Sequence, residues 1–518
     1  RRDPRRDAAR GARGVSAAAR LCAMLAASLA AGCAVVPPGP PAPATPATPA
    51  TPATPAVPAA PATPATPEVP AVPADLGALG AGLIAHFVCS GTFVAGRPHD
   101  AVFDADVRPL GAGDIPFGAT VDPAALSATG HVHGIAPRTA RRLRDRGCVL
   151  DAPPAPAGPP AAFVRPPARD AHWPAGDRAV DEADWGPRVD APALRRALDA
   201  AMRGAGDPSG PNPRAVAVVR GGRLLAERGA PGFEPGTPLL GWSMTKTVVA
   251  MHAHQLAAEG RLDLDAPVVE AAAGPRAPDW LDAWRADARA RITVEDLLRM
   301  RDGLGNDEDE TAGGSVGRML YGARDVAAFA AAAPAGAPAG ERWRYLSAST
   351  NLLARVIRAR HAGDEDYWSW PRRTIFEPIG ARTAVLETDG DGTFVGSTFG
   401  WASAADWARL GELTLRDGRW NGRQVIAPGW LGRAARPARP DGPGRGYGAQ
   451  VWRIGDPVAG ICRGPAMPED ALAMLGHAGQ VVAIVPSRDA VVVRLGRAFD
   501  GDAFDACAFV ASVLAALR

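Results

Sequence analysis

Hydrophobic and polar positions along the chain separate a body with clear helical and strand patterns from a front part that lacks them. Apolar residues recur at helical spacing over residues 190–203 and again over 245–259, where Gly260 supplies a C-cap. Residues 215–228 consist of an apolar run, a Gly-Gly pair and a second apolar run, which predicts a β-hairpin.

The far end of the chain repeats this mixture of elements. Apolar segments within residues 472–495 predict strands, and residues 503–517 predict a closing helix. Strands at both ends with helices between them predict an α+β domain over residues 181–518, whose sheet joins the two ends of the domain.

Residues 75–180 form a small N-terminal region whose apolar runs are shorter and more often interrupted than those of the body. Its apolar runs at 84–93 and 101–107 are short and bounded by Gly and Pro, and we interpret them as strands. A Pro-rich stretch at 152–167 predicts the seam between this region and the body.

The first 32 residues have the pattern of an export signal. Seven arginines precede a twelve-residue apolar run, which ends in small residues before Cys33. That run is too short to span a bilayer, which needs about 20 residues, and Ala-Ala-Gly-Cys resembles a bacterial lipobox. We predict a lipoprotein-type signal peptide over 1–32, lipidation of Cys33 and an exported, periplasm-facing membrane lipoprotein. An ordinary cleaved signal and an uncleaved anchor are the alternatives.

Residues 33–74 are built from Ala-, Thr- and Pro-rich repeats. Such a sequence cannot bury a core, and its prolines favour extended polyproline II. At about 3.1 Å per residue, roughly 40 residues reach on the order of 100 Å. This segment is predicted to be a linker that holds the body away from a membrane surface.

Charge argues against a nucleic-acid partner. The formal net charge is +2, and it becomes −3 without residues 1–32, which hold seven Arg and two Asp. A chain near neutrality offers no broad cationic surface for a phosphate backbone. The sequence predicts no nucleic-acid binding, no cofactor and no metal site, and it specifies no oligomeric state.

Four of the six cysteines lie beyond the predicted signal and lipidation site. Cys89 and Cys148 share the N-terminal region, and Cys462 and Cys507 share the end of the body. Four cysteines allow three pairings, of which we favour the one within each region, in an oxidising compartment. No Cys-x-x-Cys occurs, so a zinc ribbon or a thioredoxin-type centre is excluded.

Lys246 is the sole lysine among 57 Lys and Arg residues. Arginine serves for solvated charges and ion pairs, but it does not lose its proton, whereas a buried lysine can. Ser243 stands three residues before it at a predicted helix start, so the two side chains share one face. A desolvated neutral lysine can take the proton of the serine hydroxyl, which predicts covalent catalysis.

Three segments resemble the penicillin-recognising serine hydrolases, which comprise class C β-lactamases, related esterases and D,D-peptidases. Residues 243–267 are similar to that family's nucleophile helix and the loop after it, and 345–351 and 477–479 resemble its second and third motifs. Ser347 replaces the family's asparagine in the second motif, and His477 replaces its lysine in the third. The second motif is closer to the 6-aminohexanoate-dimer hydrolase branch.

The resemblance implies a β-lactamase/D,D-peptidase-like fold, with an antiparallel sheet flanked by helices and an inserted helical subdomain. It implies Ser243 as nucleophile, Lys246 as its base and Tyr345 as the relay of a proton to the leaving group. The N–H of Ser243 and one near Gln480 would hold the oxyanion. The residues implied at the oxyanion or substrate are Ser347, His477, Gly479 and Gln480.

These features predict a serine hydrolase that is acylated at Ser243 by a small amide or ester, with a membrane as its other partner through the lipid. The missing asparagine and lysine, which bind the amide and carboxylate of β-lactams in the family, disfavour a β-lactamase or D,D-carboxypeptidase. A catalytically silent binding lipoprotein is the alternative of another class. The acidic run 306–310 is either a solvated loop or an attractant for a cationic substrate group.

Overall fold

The computed structural model describes residues 73–111, 115–153, 169–311, 313–462, 467–499 and 504–518. The predicted signal peptide, the lipidation site Cys33 and nearly all of the predicted linker lie outside the described residues, as does most of the Pro-rich seam.

The strands, in chain order, are β1 Phe117–Asp122, β2 Ser127–Val132, β3 Arg138–Leu143, β4 Gly147–Leu150, β5 Pro213–Arg220, β6 Arg223–Gly229, β7 Leu239–Leu240, β8 Val385–Leu386, β9 Gly400–Ala402, β10 Arg419–Trp420, β11 Arg423–Gln424, β12 Leu472–Gly476, β13 Gln480–Val485 and β14 Ala490–Gly496. The α-helices are α1 Ala74–Phe93, α2 His99–Val102, α3 Ala191–Ala201, α4 Thr245–Ala258, α5 Val268–Ala271, α6 Leu281–Arg285, α7 Val294–Leu298, α8 Ser315–Tyr321, α9 Val326–Ala331, α10 Ser347–Ala359, α11 Asp364–Pro371, α12 Glu377–Ile379, α13 Ala404–Leu415, α14 Trp430–Ala435 and α15 Ala506–Ala516.

The central sheet of the body has the strand order β12-β13-β14-β5-β6, and every neighbouring pair is antiparallel. β5 and β6 are the hairpin predicted from residues 215–228. β14 pairs with β5, with Val492 opposite Val218. The first and last strands of the body therefore meet within one sheet, which confirms the predicted α+β arrangement.

Helices cover both faces of this sheet. α3 and α15, the helices predicted from residues 190–203 and 503–517, pack Leu198 and Val513 against one face. α13 crosses the other face so closely that a Cβ at Gly411 would lie 2.7 Å from Val491. The helices between β6 and β12 form the predicted insertion.

α4 is the helix predicted over residues 245–259. Gly260 follows it with a φ of 68°, the left-handed conformation of a helix C-terminus. Every residue from Thr245 to His254 is buried, including Lys246, His252 and His254, so this stretch has no face in contact with solvent. The first turn of this enclosed helix carries the candidate base.

The N-terminal region consists of α1 lying across the antiparallel sheet β1-β2-β3-β4. The interpretation of 84–93 and 101–107 as strands is wrong, because the first is the second half of α1 and the second lies in α2 and the following helical turn. α1 packs against the sheet and also against the body, so it lacks the polar face that would mark a helix.

A buried carboxylate joins the N-terminal region to the body. Glu387, next to β8, accepts hydrogen bonds from Ser90 Oγ at 2.9 Å, from the backbone N–H of Cys148 at 2.7 Å and from Trp401 Nε1 at 2.8 Å. Beside it, the disulfide between Cys89 and Cys148 fastens α1 to β4. The N-terminal region is therefore built into the body rather than attached at its surface.

The second favoured disulfide, between Cys462 and Cys507, is also present and ties α15 to the segment before β12. α1 has the length and apolar composition to cross a membrane, yet 67% of its most apolar window is buried within the fold. That degree of burial is typical of a core helix.

Candidate active site

Ser243 lies in the 3₁₀ turn Trp242–Met244 that leads into α4. Trp242 has a φ of 51°, a left-handed conformation that is uncommon for a large aromatic residue. Thr245 fastens the turn, since its Oγ1 donates to the carbonyl of Trp242 at 2.7 Å and lies 3.2 Å from that of Thr398. Backbone strain of this kind concentrates at functional sites.

Lys246 is buried one helical turn from Ser243, with 1% of its surface exposed. Its Nζ lies 2.9 Å from Ser243 Oγ, 3.1 Å from Ser347 Oγ and 3.0 Å from the carbonyl oxygen of Ser397. The two side chains of the Ser-x-x-Lys motif therefore meet, as their spacing predicts.

Burial and two carboxylates act in opposite directions on Lys246. Burial lowers the pKa of Lys246 to about 8, while the charges of Glu308 and Glu310 oppose that shift. Burial also raises the pKa of Glu308 to about 7, against the charge of Lys246 and the hydrogen bonds from Ser347. A lysine with a pKa near 8 has a substantial neutral fraction near physiological pH.

Tyr345 contacts the same hydroxyl. Its phenol is hydrogen bonded to Ser243, and Lys246 Nζ lies 4.8 Å from its ring centroid. The ring stacks on Trp452 with centroids 5.2 Å apart. Burial and the charge of Glu308 raise the pKa of Tyr345 well above its usual value, so the phenol keeps its proton. Tyr345 is therefore suited to donate or relay a proton.

Ser347 begins α10 and borders the cavity in front of Ser243. Glu308 accepts from its backbone N–H at 2.6 Å and from its hydroxyl at 2.5 Å. An acid at a helix N-terminus satisfies an N–H that has no partner within the helix and interacts favourably with the helix dipole. The Ser347 hydroxyl thus links Lys246 to a carboxylate.

His477 and Gly479 lie in the turn between β12 and β13. His477 Nδ1 is 3.0 Å from Glu310 Oε2, and the imidazole also borders the cavity. Gly479 has a φ of 80°, and a Cβ there would lie 2.8 Å from the guanidinium of Arg494, so the turn requires glycine. The third motif therefore reaches the site, with its histidine paired to an acid.

Gln480 holds this turn together with its side chain. Its amide N–H groups reach three carbonyls of the turn and of β14, and its oxygen accepts from the N–H of Gly496 at 2.9 Å. The end of β12 lies against the Ser243 turn, because a Cβ at Gly476 would be 2.2 Å from the carbonyl oxygen of Gly241. The Gln480 side chain is therefore engaged within the turn and with β14 rather than available to a substrate.

Four residues of the site have no individual role among the sequence predictions, and they are Glu308, Glu310, Asn351 and Ser397. The solvated-loop interpretation of residues 306–310 is wrong for Glu308 and Glu310, which turn inward while their aspartate neighbours are exposed. The alternation of Asp and Glu over residues 307–310 is the one feature of the sequence that distinguishes the inward-facing acids from the exposed ones.

Asn351, the last residue of the second motif, acts on Lys246 through the backbone. Its Oδ1 accepts from the N–H of Ser397 at 3.1 Å. This bond holds the backbone N–H of the same residue whose carbonyl oxygen accepts from Lys246 Nζ. No motif points to Ser397, because its contribution is a backbone oxygen that any residue type could provide.

Known proteins resemble this chain over the body. Residues 194–515 match the Beta-lactamase family model. Over 321 residues the chain is 26% identical to the 6-aminohexanoate-dimer hydrolase of Paenarthrobacter ureafaciens, which covers 56% of this chain and 73% of that protein. A penicillin-binding protein homologue from Caulobacter crescentus superposes with a TM-score of 0.47 at 18% identity, over 63% of this chain and 98% of that one. A family VIII carboxylesterase gives 0.47 at 13% identity, over 64% and 97%.

Proposed function

This chain belongs to the β-lactamase family of serine hydrolases, and from that premise we propose that it hydrolyses a small amide or ester through an acyl-enzyme on Ser243. Ser243 is the proposed nucleophile, Lys246 its base and Tyr345 the donor of a proton to the leaving group. The observation that carries the proposal is the set of partners around Lys246 Nζ.

Two of the three partners of Nζ can only accept from it. The Ser397 oxygen is a carbonyl, and the Ser347 hydroxyl gives its own proton to Glu308. A neutral amine has two N–H donors and one lone pair. In the neutral form both donors are then engaged, which leaves the lone pair for Ser243 Oγ, 2.9 Å from Nζ. This arrangement supports Lys246 as the group that takes the serine proton.

In the proposed acylation step, Ser243 Oγ attacks the substrate carbonyl carbon as its proton moves to Lys246 Nζ. The carbonyl oxygen becomes an oxyanion, for which the backbone N–H groups of Ser243 and Gln480 are the proposed donors. The bond to the leaving group breaks as the oxyanion collapses, and Tyr345 passes a proton to the departing nitrogen or oxygen. The phenol is reprotonated from Lys246.

In the proposed second step, water attacks the ester carbonyl of the acyl-enzyme. Tyr345 accepts one proton from that water as its own proton passes to Lys246, and Lys246 then gives a proton to Ser243 Oγ as the acyl–oxygen bond breaks, which is the reverse of the acylation step. The products are a carboxylic acid and the free enzyme. The cycle needs no group beyond the side chains and backbone N–H groups named here.

Two carboxylates at the site favour a neutral substrate over a β-lactam. Glu308 lies behind Ser347, and Glu310 pairs with His477. In the family, the positions of Ser347 and His477 carry an asparagine and a lysine, which bind the amide and carboxylate of β-lactams. A substrate carboxylate would meet the negative charge of Glu310 here, whereas in the family it meets the positive charge of a lysine. We therefore propose an amidase or esterase rather than a β-lactamase or D,D-carboxypeptidase.

Labelling with a fluorophosphonate tests whether Ser243 is a live nucleophile. The protein is expected to be labelled, and Ser243→Ala is expected to lose the label. Ser209→Ala, at an exposed serine, is the matched control and should label like the wild type. An unlabelled, folded wild-type protein would favour the catalytically silent binding lipoprotein.

A hydrolysis screen then assigns the substrate class. p-Nitrophenyl esters, linear aminohexanoate amides, D-alanyl peptides and nitrocefin cover the candidates. Turnover of neutral esters or amides supports the proposal, whereas a preference for nitrocefin or D-alanyl peptides would contradict it.

We also propose that the protein is exported and anchored to a membrane by lipid on Cys33. The support is the sequence pattern of residues 1–33 and the Pro-rich linker after it. Two disulfides in the described part of the chain are compatible with an oxidising compartment.

A further inference from the structure

A cavity of about 190 Å³ extends from Ser243 into the space between the body and the N-terminal region. α1 supplies one wall, with Leu76, Leu83 and Phe87, and the small sheet adds Phe117 and Val132. The body closes the opposite side with α8. The N-terminal region therefore takes part in the site although it carries none of the three motifs.

The two ends of this cavity differ in chemistry. Ser243, Ser347, Glu310 and His477 gather at the reacting end. By contrast, every described residue that the N-terminal region contributes to the wall is apolar or glycine. A ligand that satisfies both ends has a polar carbonyl next to Ser243 and an uncharged apolar extension.

The size of the cavity limits that extension. An apolar cavity of roughly 150 Å³ binds benzene, so about 190 Å³ holds a chain of about six to eight carbons. The acyl group stays on Ser243 from the first attack to the final hydrolysis, whereas the leaving group departs midway. An acyl chain is therefore the part of a substrate that can occupy the cavity throughout the cycle.

We propose that the N-terminal region is an acyl-chain-binding module, and that the preferred substrates are esters or amides of medium-length apolar carboxylic acids. This inference rests on the proposed function and names its substrate class. The buried contacts of Glu387 and the Cys89–Cys148 bridge hold the module at a fixed distance from Ser243. A fixed wall sets a definite optimum of chain length.

A series of p-nitrophenyl esters from acetate to dodecanoate tests the proposal on the whole protein. kcat/KM is expected to rise about fourfold per added methylene, equivalent to about 0.8 kcal/mol, up to hexanoate or octanoate and then to level or fall. A series that is flat, or that is highest for acetate, would overturn it. A second series lengthens the alcohol of acetate esters, and a preference that follows the alcohol chain would also overturn it.

Variants of the wall test the site itself. Leu83→Trp fills the cavity and is expected to lower kcat/KM for octanoate at least tenfold while changing that for acetate less than twofold. Leu76→Trp, at the partly buried start of α1, is the second variant should the first not fold. Leu143→Trp, a partly buried leucine of the same region outside the cavity, is the matched control and should keep the wild-type profile.

The acyl-chain site and the proposed function can be contradicted separately. Hydrolysis of acetate esters by a labelled Ser243 without any gain from longer chains would contradict the acyl-chain site alone. Absence of both labelling and hydrolysis would contradict the proposed function. Equal losses on acetate and octanoate in both tryptophan variants would show that the wall supports the fold and not the chain.

Discussion

The carboxylate of Glu308 accepts two hydrogen bonds from Ser347, one from the backbone N–H at 2.6 Å and one from the hydroxyl at 2.5 Å. The same hydroxyl accepts from Lys246 Nζ at 3.1 Å, so the Ser347 hydroxyl bridges the Glu308 carboxylate and the proposed base. Its charge acts against the effect of burial on the pKa of Lys246. Glu308 therefore influences how much of the lysine is neutral at a given pH.

The pH dependence of Glu308→Gln follows from this relationship. Lys246 accepts a proton only when neutral, so kcat/KM of the wild type is expected to rise with pH through about 8. Removing the Glu308 charge removes an influence that raises the pKa of Lys246. The rising limb of the kcat/KM profile should therefore move to lower pH in Glu308→Gln.

The control for that profile is Asp309→Asn, which removes an exposed charge from the adjacent position. Its profile should coincide with the wild type. A Glu308→Gln limb that stays in place or moves to higher pH would contradict the proposed electrostatic role of Glu308.

Lys246→Arg separates a base from a structural cation. Arginine keeps the charge but stays protonated, so kcat/KM is expected to fall by about 10²–10⁴-fold. The melting temperature should stay within a few degrees of the wild type. Arg423→Lys, at an exposed position, is the reciprocal control and should leave both kcat/KM and the melting temperature unchanged. A folded Lys246→Arg enzyme with wild-type turnover would refute the mechanism.

Tyr345→Phe removes the phenol while keeping the ring that stacks on Trp452. Ser243 retains Lys246 as a partner, so fluorophosphonate labelling should persist at a reduced rate. Turnover, which needs a proton on the leaving group, is expected to fall about a hundredfold. Unchanged turnover alongside normal labelling would assign the proton transfer to another group.

Lipidation of Cys33 can be measured directly in cells. An alkyne fatty acid is expected to label the wild type and not Cys33→Ser. Cys22→Ser, at the other cysteine of the first 33 residues, lies within the predicted signal peptide and should leave the label intact. A mature N-terminus elsewhere, without lipid, would exclude the lipoprotein assignment.

The residues that the sequence could identify are those with local signals. The helix over 245–259 has its own apolar pattern and a C-cap, and Ser243 and Lys246 are three residues apart within one turn. The hairpin of β5 and β6 likewise depends on a Gly-Gly pair between two apolar runs. Each of these features is encoded by neighbours along the chain.

The features that the sequence did not predict depend on distant contacts. The second half of α1, residues 84–93, has no helical pattern in the sequence because the body covers the face that would otherwise be polar. Glu308 reaches Ser347 across 39 positions, and Ser397 contributes a backbone oxygen to a lysine 151 positions away. A single sequence carries no periodic signal for such pairs, and only the fold brings them together.

The strand order of the central sheet has a consequence for how the chain acquires activity. β5 lies next to β14, with Val218 opposite Val492. β5 therefore cannot pair with this neighbour until β14 has been synthesised or translocated. Ser243 and Lys246 are therefore synthesised about 250 residues before the end of the last strand of that sheet. Loop closure over such a distance is entropically costly and slow. Any polypeptide that stops before Ala490 lacks a central strand, so premature termination there should yield an inert, protease-sensitive product rather than a weaker enzyme.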